Sequence, residues 1–275
     1  MTCTRPKRIP DPRGTGYLEV PCNRCMACRI QKTGEWQTRI LCEKHYYSDH
    51  CFLTLTYDDD HVPPGETLVK FHLQNFFKRL RYHVDVPFKH FSVGEYGDVG
   101  NRPHYHSLIL GWFPPSVLPV YPGSKSMFSP LIRKVWPFGF NMVGVVEQKS
   151  IDYVTGYIRK KLYGPPSKEI YGFRLPPFQL RSINIGKRYA LEHRDEIVKN
   201  NGVVINGKNR GINRYFWKLL ELPEELAIEM QEERQRNIDV EIQVRNLSDY
   251  AVFDDRSQRE KNLSAKEKLF QRGKL

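Results

Sequence analysis

Residues 103–111 read Pro-His-Tyr-His-Ser-Leu-Ile-Leu-Gly. This stretch places two histidines, His104 and His106, on either side of one bulky residue within a predicted β-strand. Successive side chains of a strand point to opposite faces, so the two imidazoles share a face and lie a few ångströms apart. The stretch therefore predicts a strand that can offer two ligands to one metal ion.

A second strand is predicted just upstream, over residues 88–95, and it ends at the carboxylate of Glu95. The Gly-Asp-Val-Gly-Asn-Arg-Pro turn joins it to the histidine strand, which favours an antiparallel pair. One carboxylate oxygen and two ring nitrogens can then converge on a single cation. Such a mixed set suits Mn²⁺, tolerates Mg²⁺ and is compatible with Zn²⁺. The alternative is that His104 and His106 are surface histidines that bind no metal. The presence of Glu95 disfavours this alternative.

Outside this pair, the hydrophobic pattern predicts helices and strands that together make an α+β fold. Helices are predicted over residues 28–47, 67–83, 131–135, 150–163, 188–199 and 224–236. Strands are predicted over residues 51–57, 88–95, 104–110 and 140–146. Thr67 is placed to cap the second helix, and the Asn206-Gly207 pair predicts a type I′ hairpin turn. We expect a central antiparallel sheet with flanking helices and a mostly helical C-terminal extension.

Composition divides the chain into four parts. Residues 1–50 are expected to form an N-terminal Cys-containing segment and a helix packed on the core, and residues 51–165 the core itself. Residues 166–222 are expected to form the C-terminal part of the same domain. Residues 223–275 are polar and charge-mixed, which predicts a helical start followed by a loose, solvated tail.

The chain carries a large positive charge. Its 275 residues include 43 Lys and Arg against 31 Asp and Glu, a formal charge of +12. The last 55 residues contain 13 acidic and 10 basic side chains, so the residues before them carry +15. We therefore expect a polyanionic partner, with nucleic acid favoured over an anionic membrane surface.

No membrane or export signal is visible in the sequence. It has no run of about 18 apolar residues, and its basic first residues are not followed by an apolar stretch. With 40% hydrophobic residues the chain can build a globular core. We expect a cytosolic protein without a membrane partner.

Two tyrosines and two lysines follow the histidines in the predicted helix of residues 150–163. Tyr153 and Tyr157 are four residues apart and share one helix face. Lys160 and Lys161 lie on the next turn, near the same face. A phenol is a poor nucleophile near neutral pH, and adjacent ammonium groups lower its pKa or hold a phosphate. Metal, nucleophile and cation together suggest a nuclease, although two helical tyrosines alone are more often core or interface residues.

Three of the six cysteines, Cys22, Cys25 and Cys28, lie within seven residues. This crowding suits metal binding or free thiols better than a disulfide framework. Three thiolates could bind a structural Zn²⁺ if a fourth ligand joined them. The candidates for that ligand are Cys3, Cys42, His45 and Cys51. Buried or free thiols without metal are the alternative, and no catalytic role is expected.

In their order, these motifs resemble the HUH endonucleases that initiate rolling-circle replication. The resemblance is strongest to the initiators of microviruses, small single-stranded DNA phages, and particularly to the gokushovirus type. Residues 52–56, Phe-Leu-Thr-Leu-Thr, match the family's strand motif, residues 103–106 its metal motif and residues 153–161 its tyrosine motif. Glu95 stands where related circular-DNA initiators place an acidic ligand. Residues 21–29 are similar to the opening of gokushovirus initiators.

The resemblance implies an HUH endonuclease fold and a metal-dependent nicking and joining reaction. Glu95, His104 and His106 would hold Mn²⁺ or Mg²⁺ at the scissile phosphate. Tyr157 or Tyr153 would attack, leaving a 5′-phosphotyrosine and a 3′-OH primer, and Tyr157 is expected to cut first. The second tyrosine would cut the regenerated origin so that the ends join into a circle. The expected partners are single-stranded or supercoiled origin DNA and a host helicase and DNA polymerase, in the cytoplasm of the bacterial host.

Three other functions are compatible with the residues. The chain could be a non-catalytic basic DNA- or RNA-binding protein, or a zinc hydrolase that uses metal-bound water. A plasmid initiator or transposase of the same HUH class is the third, which the cysteine segment and paired tyrosines disfavour. Basic and aromatic residues interleave over residues 70–82 and at Phe173-Arg174, where they could bind single-stranded DNA unless they are core helices with solvated basic faces.

Overall fold

A computed structural model of the protein describes residues 3–12, 14, 16–97, 100–160, 165–244 and 251–272. The chain divides into two compact units. We call Met1–Glu35 with His193–Leu275 the terminal unit, and Trp36–Glu192 the central unit. The four-part division at residues 50, 165 and 222 stays a prediction.

The described residues contain eleven β-strands. In chain order they are β1 Lys7–Pro10, β2 Tyr17–Val20, β3 His50–Tyr57, β4 Lys89–Tyr96, β5 Pro103–Leu110, β6 Leu118–Pro119, β7 Met127–Phe128, β8 Gly139–Val145, β9 Phe178–Arg181, β10 Val203–Ile205 and β11 Lys208–Arg210. Seven of them form one antiparallel sheet in the central unit, in the order β6-β7-β8-β3-β5-β4-β9. The four strands predicted from the sequence are confirmed as β3, β4, β5 and β8.

The same residues contain ten α-helices. In chain order they are α1 Met26–Lys44, α2 Lys70–His83, α3 Pro130–Val135, α4 Gln148–Lys160, α5 Pro165–Tyr171, α6 Lys187–Glu192, α7 Arg194–Lys199, α8 Arg214–Leu220, α9 Glu224–Val244 and α10 Ala251–Arg272. Two 3₁₀ turns, Asp59–His61 and Pro64–Glu66, precede α2. None of these described helices has the length and apolar character needed to cross a bilayer. The mixture of one large sheet with many helices confirms the predicted α+β class.

One face of the central sheet forms the larger hydrophobic core. Leu53 and Leu55 of β3 and Tyr105 of β5 alternate with the histidine positions and are fully buried. They cluster with Phe76 of α2 and with Trp136, which ends α3. Burying each such side chain contributes about 1.5–3 kcal/mol. This core fixes which residues of β3 and β5 point away from it.

We call the opposite side of the sheet the histidine face. It carries Phe52, Thr54, His104 and His106. Leu108 continues this face and packs against Ile151 and Val154 of α4. The apolar stripe of α4 therefore holds that helix against the sheet, beside the histidines.

The expectation that Thr67 caps α2 is wrong. Its Oγ1 accepts a hydrogen bond from the backbone N–H of Leu175 at 2.8 Å, and α2 begins at Lys70. Val69 stands at the N-cap with no side-chain cap, and its N–H donates to the Tyr105 hydroxyl at 2.9 Å. These tertiary hydrogen bonds hold the chain extended where the local sequence favours a helix start.

The hydrophobic pattern of the sequence does not predict the shortest strands. β9 has four residues and pairs with β4, while β6 and β7 have two each and lie between β5 and α3, where no strand is predicted. Runs this short carry no readable alternation. They become strands because the edges of a larger sheet offer them backbone partners.

The mostly helical C-terminal extension expected from the sequence is present, and its helices are longer than predicted. α9 and α10 extend well beyond the predicted helix end at residue 236, where composition predicts a loose tail. Glu260 of α10 accepts hydrogen bonds from Thr4 Oγ1 at 2.7 Å and from the Met26 N–H at 2.9 Å. These partners are more than 200 residues away in the chain, so local composition does not reveal them.

The start of β8 offers a test of the sheet. Gly139 has a φ of +149°, and a Cβ there would overlap the backbone of Thr56 and Asp58. We expect Gly139→Ala to lower the free energy of unfolding by about 3 kcal/mol, measured by urea denaturation. Gly144→Ala in the same strand is the control, because its Cβ would come no closer than 3.7 Å to Phe52. Coinciding unfolding curves for Gly139→Ala and wild type would contradict this strand geometry.

Candidate active site

The pairing of β4 with β5 brings the three predicted metal ligands together. Glu95 stands directly opposite His104, and His106 lies two residues further along the same face. Glu95 Oε1 is 3.1 Å from His104 Nε2 and 2.9 Å from His106 Nε2. The ligand atoms of the three side chains all lie within 4.8 Å of one another. The convergence expected from the sequence is therefore present.

Backbone and side-chain partners orient the two imidazoles. His104 Nδ1 lies 3.0 Å from the carbonyl oxygen of Arg102, to which it can only donate. His106 Nδ1 lies 2.9 Å from Thr54 Oγ1. With a metal bound in place of the contacts to Glu95, a proton on Nδ1 would leave Nε2 of each histidine free as the ligand atom. Thr54 was not singled out from the sequence, although strand alternation from Phe52 could have found it.

These distances fit a small divalent cation. An octahedral ion with ligands at about 2.0–2.1 Å holds neighbouring ligand atoms about 3.0 Å apart. The two separations between Glu95 Oε1 and the histidine nitrogens match that spacing. One carboxylate and two imidazoles form a donor set suited to first-row divalent metals.

The protonation states also favour ligand binding. Burial raises the pKa of the Glu95 carboxyl, but hydrogen bonds with His104 and His106 outweigh it and lower the pKa to about 2. Burial lowers the pKa of His106 below its ordinary value. Near neutral pH the cluster therefore offers an ionised carboxylate and, at His106, a neutral imidazole.

Both predicted tyrosines lie at this cluster. The Tyr153 hydroxyl is 3.2 Å from His106 Nε2 and 3.5 Å from Glu95 Oε1. Tyr157 donates its hydroxyl hydrogen to the Tyr153 oxygen at 2.7 Å. The ring of His106 stacks on Tyr157 and on Phe52, with ring centroids 5.9 and 5.8 Å apart. The four-residue spacing on α4 thus places two phenols beside one set of ligands.

Lys160 does not lower the pKa of Tyr157 as expected. Lys160 Nζ lies 4.9 Å from the centre of the Tyr157 ring, a cation–π contact with the ring rather than the hydroxyl. Burial raises the pKa of the Tyr157 phenol far above its ordinary value, and the Glu95 carboxylate raises it further. The expectation of a lowered pKa is wrong for this contact. Lys161 lies outside the described residues.

A cavity of about 290 Å³ opens beside the cluster. Its wall includes Glu95, Tyr96, Tyr157, Lys160, Tyr171 and Arg174. Tyr96 and Tyr171 stack with ring centroids 5.8 Å apart, and the Arg174 guanidinium lies 4.8 Å from the Tyr96 ring centre. The sequence had indicated Arg174 as a DNA contact, but not the two tyrosines. The cavity is therefore lined both by the Glu95 carboxylate and by aromatic and basic side chains.

Comparison with known proteins finds one family and three similar proteins. The family model for the replication-associated protein ORF2 matches residues 50–162. Replication-associated protein ORF4 of Chlamydia phage 1 is 30% identical over 214 residues, 73% of this chain and 53% of that protein. The chain is similar to this family of replication-associated proteins. Two further proteins match similarly, ORF2 of Spiroplasma virus 4 at 30% identity and VP4 of Bdellovibrio phage phiMH2K at 31%, each over 71% of this chain.

These matches confirm the resemblance to microvirus initiators. The family segment contains Thr54, Glu95, both histidines and both tyrosines of the cluster. The matches cover 53–65% of the length of the three relatives, so the chain spans between half and two thirds of them. No solved structure matches the chain significantly.

The ligand cluster is tested by metal titration. We expect the protein to bind one equivalent of Mn²⁺ by isothermal titration calorimetry. His104→Ala/His106→Ala should weaken binding by at least about 100-fold, since even an outer partner of a ligand contributes 10–100-fold. His61→Ala is the matched control, because that exposed histidine pairs with Asp58 outside the cluster. Equal Mn²⁺ affinity in all three proteins would contradict the assignment.

Proposed function

We propose that this protein initiates rolling-circle replication of a small circular phage DNA. It would nick the viral strand at the origin and later join the ends, in the cytoplasm of the bacterial host. The observation that carries the proposal is the position of the Tyr153 and Tyr157 hydroxyls, hydrogen-bonded together beside His106 and Glu95. The names of the phage relatives, all replication-associated proteins, support it.

The proposed first step is a transfer of the DNA strand to tyrosine. A tyrosine oxygen forms a bond to phosphorus while the bond from phosphorus to the 3′ oxygen breaks. The phenol gives up its proton and the leaving oxygen takes one, which yields a 5′-phosphotyrosine and a free 3′-OH. A divalent cation held by Glu95, His104 and His106 would polarise the phosphate and stabilise the charge on the leaving oxygen. The covalent bond retains the phosphodiester energy, so no nucleotide cofactor is needed.

Two adjacent tyrosines allow a second cut before the first bond is released. Tyr157 lines the cavity together with Lys160, which supports its use in the first cut. Tyr153, whose hydroxyl is 3.2 Å from His106 Nε2, would then cut the regenerated origin. The 3′-OH released by that cut attacks the first phosphotyrosine and closes a single-stranded circle. A host helicase and DNA polymerase would act on the nicked origin between the two cuts.

The DNA strand is proposed to enter through the cavity as a single strand. Lys160 and Arg174 would contact phosphates, and Tyr171 would stack on a base. An unpaired strand can turn its phosphate toward an in-line attack, whereas a duplex holds it in place. The net charge of +15 before the last 55 residues supports such a path.

Two rival functions make different products. A hydrolase that uses metal-bound water would release free 5′-phosphate ends. A non-catalytic binding protein would leave the DNA intact. The hydrogen-bonded tyrosine pair at the ligand cluster favours the covalent reaction over both.

Adduct formation tests the nucleophiles. Incubated with Mn²⁺ and single-stranded DNA carrying its origin, the protein should form an adduct that survives denaturation in a gel. Tyr153→Phe/Tyr157→Phe should lower adduct formation by about 1000-fold or more, as loss of a nucleophile does elsewhere. Tyr121→Phe, at an exposed loop position, is the control and should leave it unchanged.

The outcomes separate the rivals. Free 5′-phosphate ends without adduct would support the hydrolase, and bound but uncut DNA would support the binding protein. Adduct formation by the double variant at the wild-type rate would contradict the role of both tyrosines.

The aromatic wall is tested by DNA affinity. We expect Tyr171→Ala to weaken binding of single-stranded DNA by about 5- to 150-fold, because stacking on one base contributes about 1–3 kcal/mol. Fluorescence anisotropy with a labelled oligonucleotide measures the change. Tyr121→Ala removes an exposed tyrosine that is not in the cavity wall and serves as the control. Equal affinity of the Tyr171 variant and the control would contradict this strand path.

A further inference from the structure

Four cysteine side chains meet in the terminal unit. Cys22 and Cys25 precede α1, Cys28 lies in its first turn, and Cys3 joins them from the residues before β1. Their sulfur atoms all lie within 4.8 Å of one another. The first three are buried and Cys3 is partly buried. The proposed nicking reaction uses none of them.

The β1–β2 hairpin brings the fourth cysteine to the other three. Lys7 pairs with Val20, so the chain before β1 and the chain after β2 leave the hairpin side by side. Cys3 Sγ accepts the N–H of Cys22 at 3.3 Å. The other three candidates for the fourth ligand, Cys42, His45 and Cys51, belong to the central unit.

The sulfur separations fit a single tetrahedral ion. Cys3 Sγ lies 3.7 Å from Cys25 Sγ, and Cys22 Sγ lies 4.0 Å from Cys28 Sγ. Four sulfurs at about 2.3 Å from a central Zn²⁺ form a tetrahedron with edges of about 3.8 Å. Disulfide sulfurs are only about 2.0 Å apart, and the six cysteines are free. A polynuclear iron–sulfur cluster needs wider spacing, because its inorganic core separates the ligand sulfurs.

Backbone donors point at these sulfurs. Cys22 Sγ accepts the N–H groups of Cys25 at 3.2 Å and of Arg24 at 3.4 Å. Cys25 Sγ accepts the N–H of Cys28 at 3.5 Å. Amide donors stabilise a thiolate more than a neutral thiol, because the acceptor then carries charge. The tight turn around Cys22 and Cys25 thus supplies the amide donors that a metal-bound thiolate can accept.

Burial of apolar side chains contributes little to the stability of the β1–β2 hairpin and the four cysteines. Both strands of the β1–β2 hairpin are exposed along almost their whole length. Among the described residues, the apolar neighbours of the four cysteines in their cluster are Ala27 and Leu263. A segment with so small a core needs a cross-link, and a bound structural metal supplies one through its contribution to folding free energy.

We propose that Cys3, Cys22, Cys25 and Cys28 bind one structural Zn²⁺. The ion fastens the β1–β2 hairpin to the start of α1. It also fixes the backbone around Thr4 and Met26, to which Glu260 of α10 is hydrogen-bonded. Zinc is preferred to a single iron ion because a site with only a structural role needs no redox chemistry.

The test measures metal bound to the purified full-length chain. Mass spectrometry of the metal content should find one Zn²⁺ per chain. A mercurial reagent that reacts with thiols should release that Zn²⁺ as the first four thiols react. Replacement of the zinc by Co²⁺ should give the intense visible bands of a tetrahedral tetrathiolate site.

Matched variants locate the zinc. Cys25→Ala should lower the zinc content at least tenfold. Cys51→Ala, which removes a fully buried thiol from β3, should leave it unchanged. Glu95→Gln should also retain the zinc, which separates this site from the cation of the proposed nicking reaction.

Several results would overturn the proposal. These are wild-type protein without zinc and without the cobalt bands, a full equivalent of iron in place of zinc, disulfides among the four cysteines, or unchanged zinc in Cys25→Ala. If the cysteine variants fail to fold, the metal content and cobalt spectrum of the wild type still decide the question.

Discussion

The antiparallel pairing of β4 with β5 is the first constraint on the positions of the site residues. Its register places Glu95 opposite His104 and on the same face as His106. A slip of one residue would turn every side chain of a strand to the other face. Such a slip would also remove the fully buried Tyr105 from its core. The hydrophobic core on one face of the sheet therefore keeps Glu95, His104 and His106 together on the other face.

The second constraint is the packing of α4 on the histidine face. Ile151 and Val154 lie in the hydrophobic cluster under this helix, which leaves Tyr153 and Tyr157 beside His106. The sheet that carries Glu95 and the histidines and the helix that carries the tyrosines are both rigid elements. Side chains on rigid elements keep their spacing before any substrate binds. This arrangement accords with the similarity to replication-associated proteins.

Much of the candidate site was predictable because it depends on short-range regularities. Strand alternation places His104 and His106 on one face, and the helical repeat places Tyr153 above Tyr157. Prediction failed where a distant group competes with a local preference. Thr67 accepts a hydrogen bond from Leu175 instead of capping a helix. The Tyr157 phenol responds to burial and to Glu95, whose combined effect the neighbouring sequence does not reveal.

The α+β class, the central strands, the histidine and tyrosine motifs and the resemblance to replication initiators follow from the sequence alone. The fold was needed to show which cysteine joins the three at residues 22–28, and that Tyr96 and Tyr171 form one wall of the cavity. It also decided that Glu260 hydrogen-bonds with Thr4 and Met26. The difference is the distance along the chain between the residues involved. Periodic patterns relate residues that are a few positions apart. These contacts close long loops, and the local sequence at one end does not indicate the residue at the other.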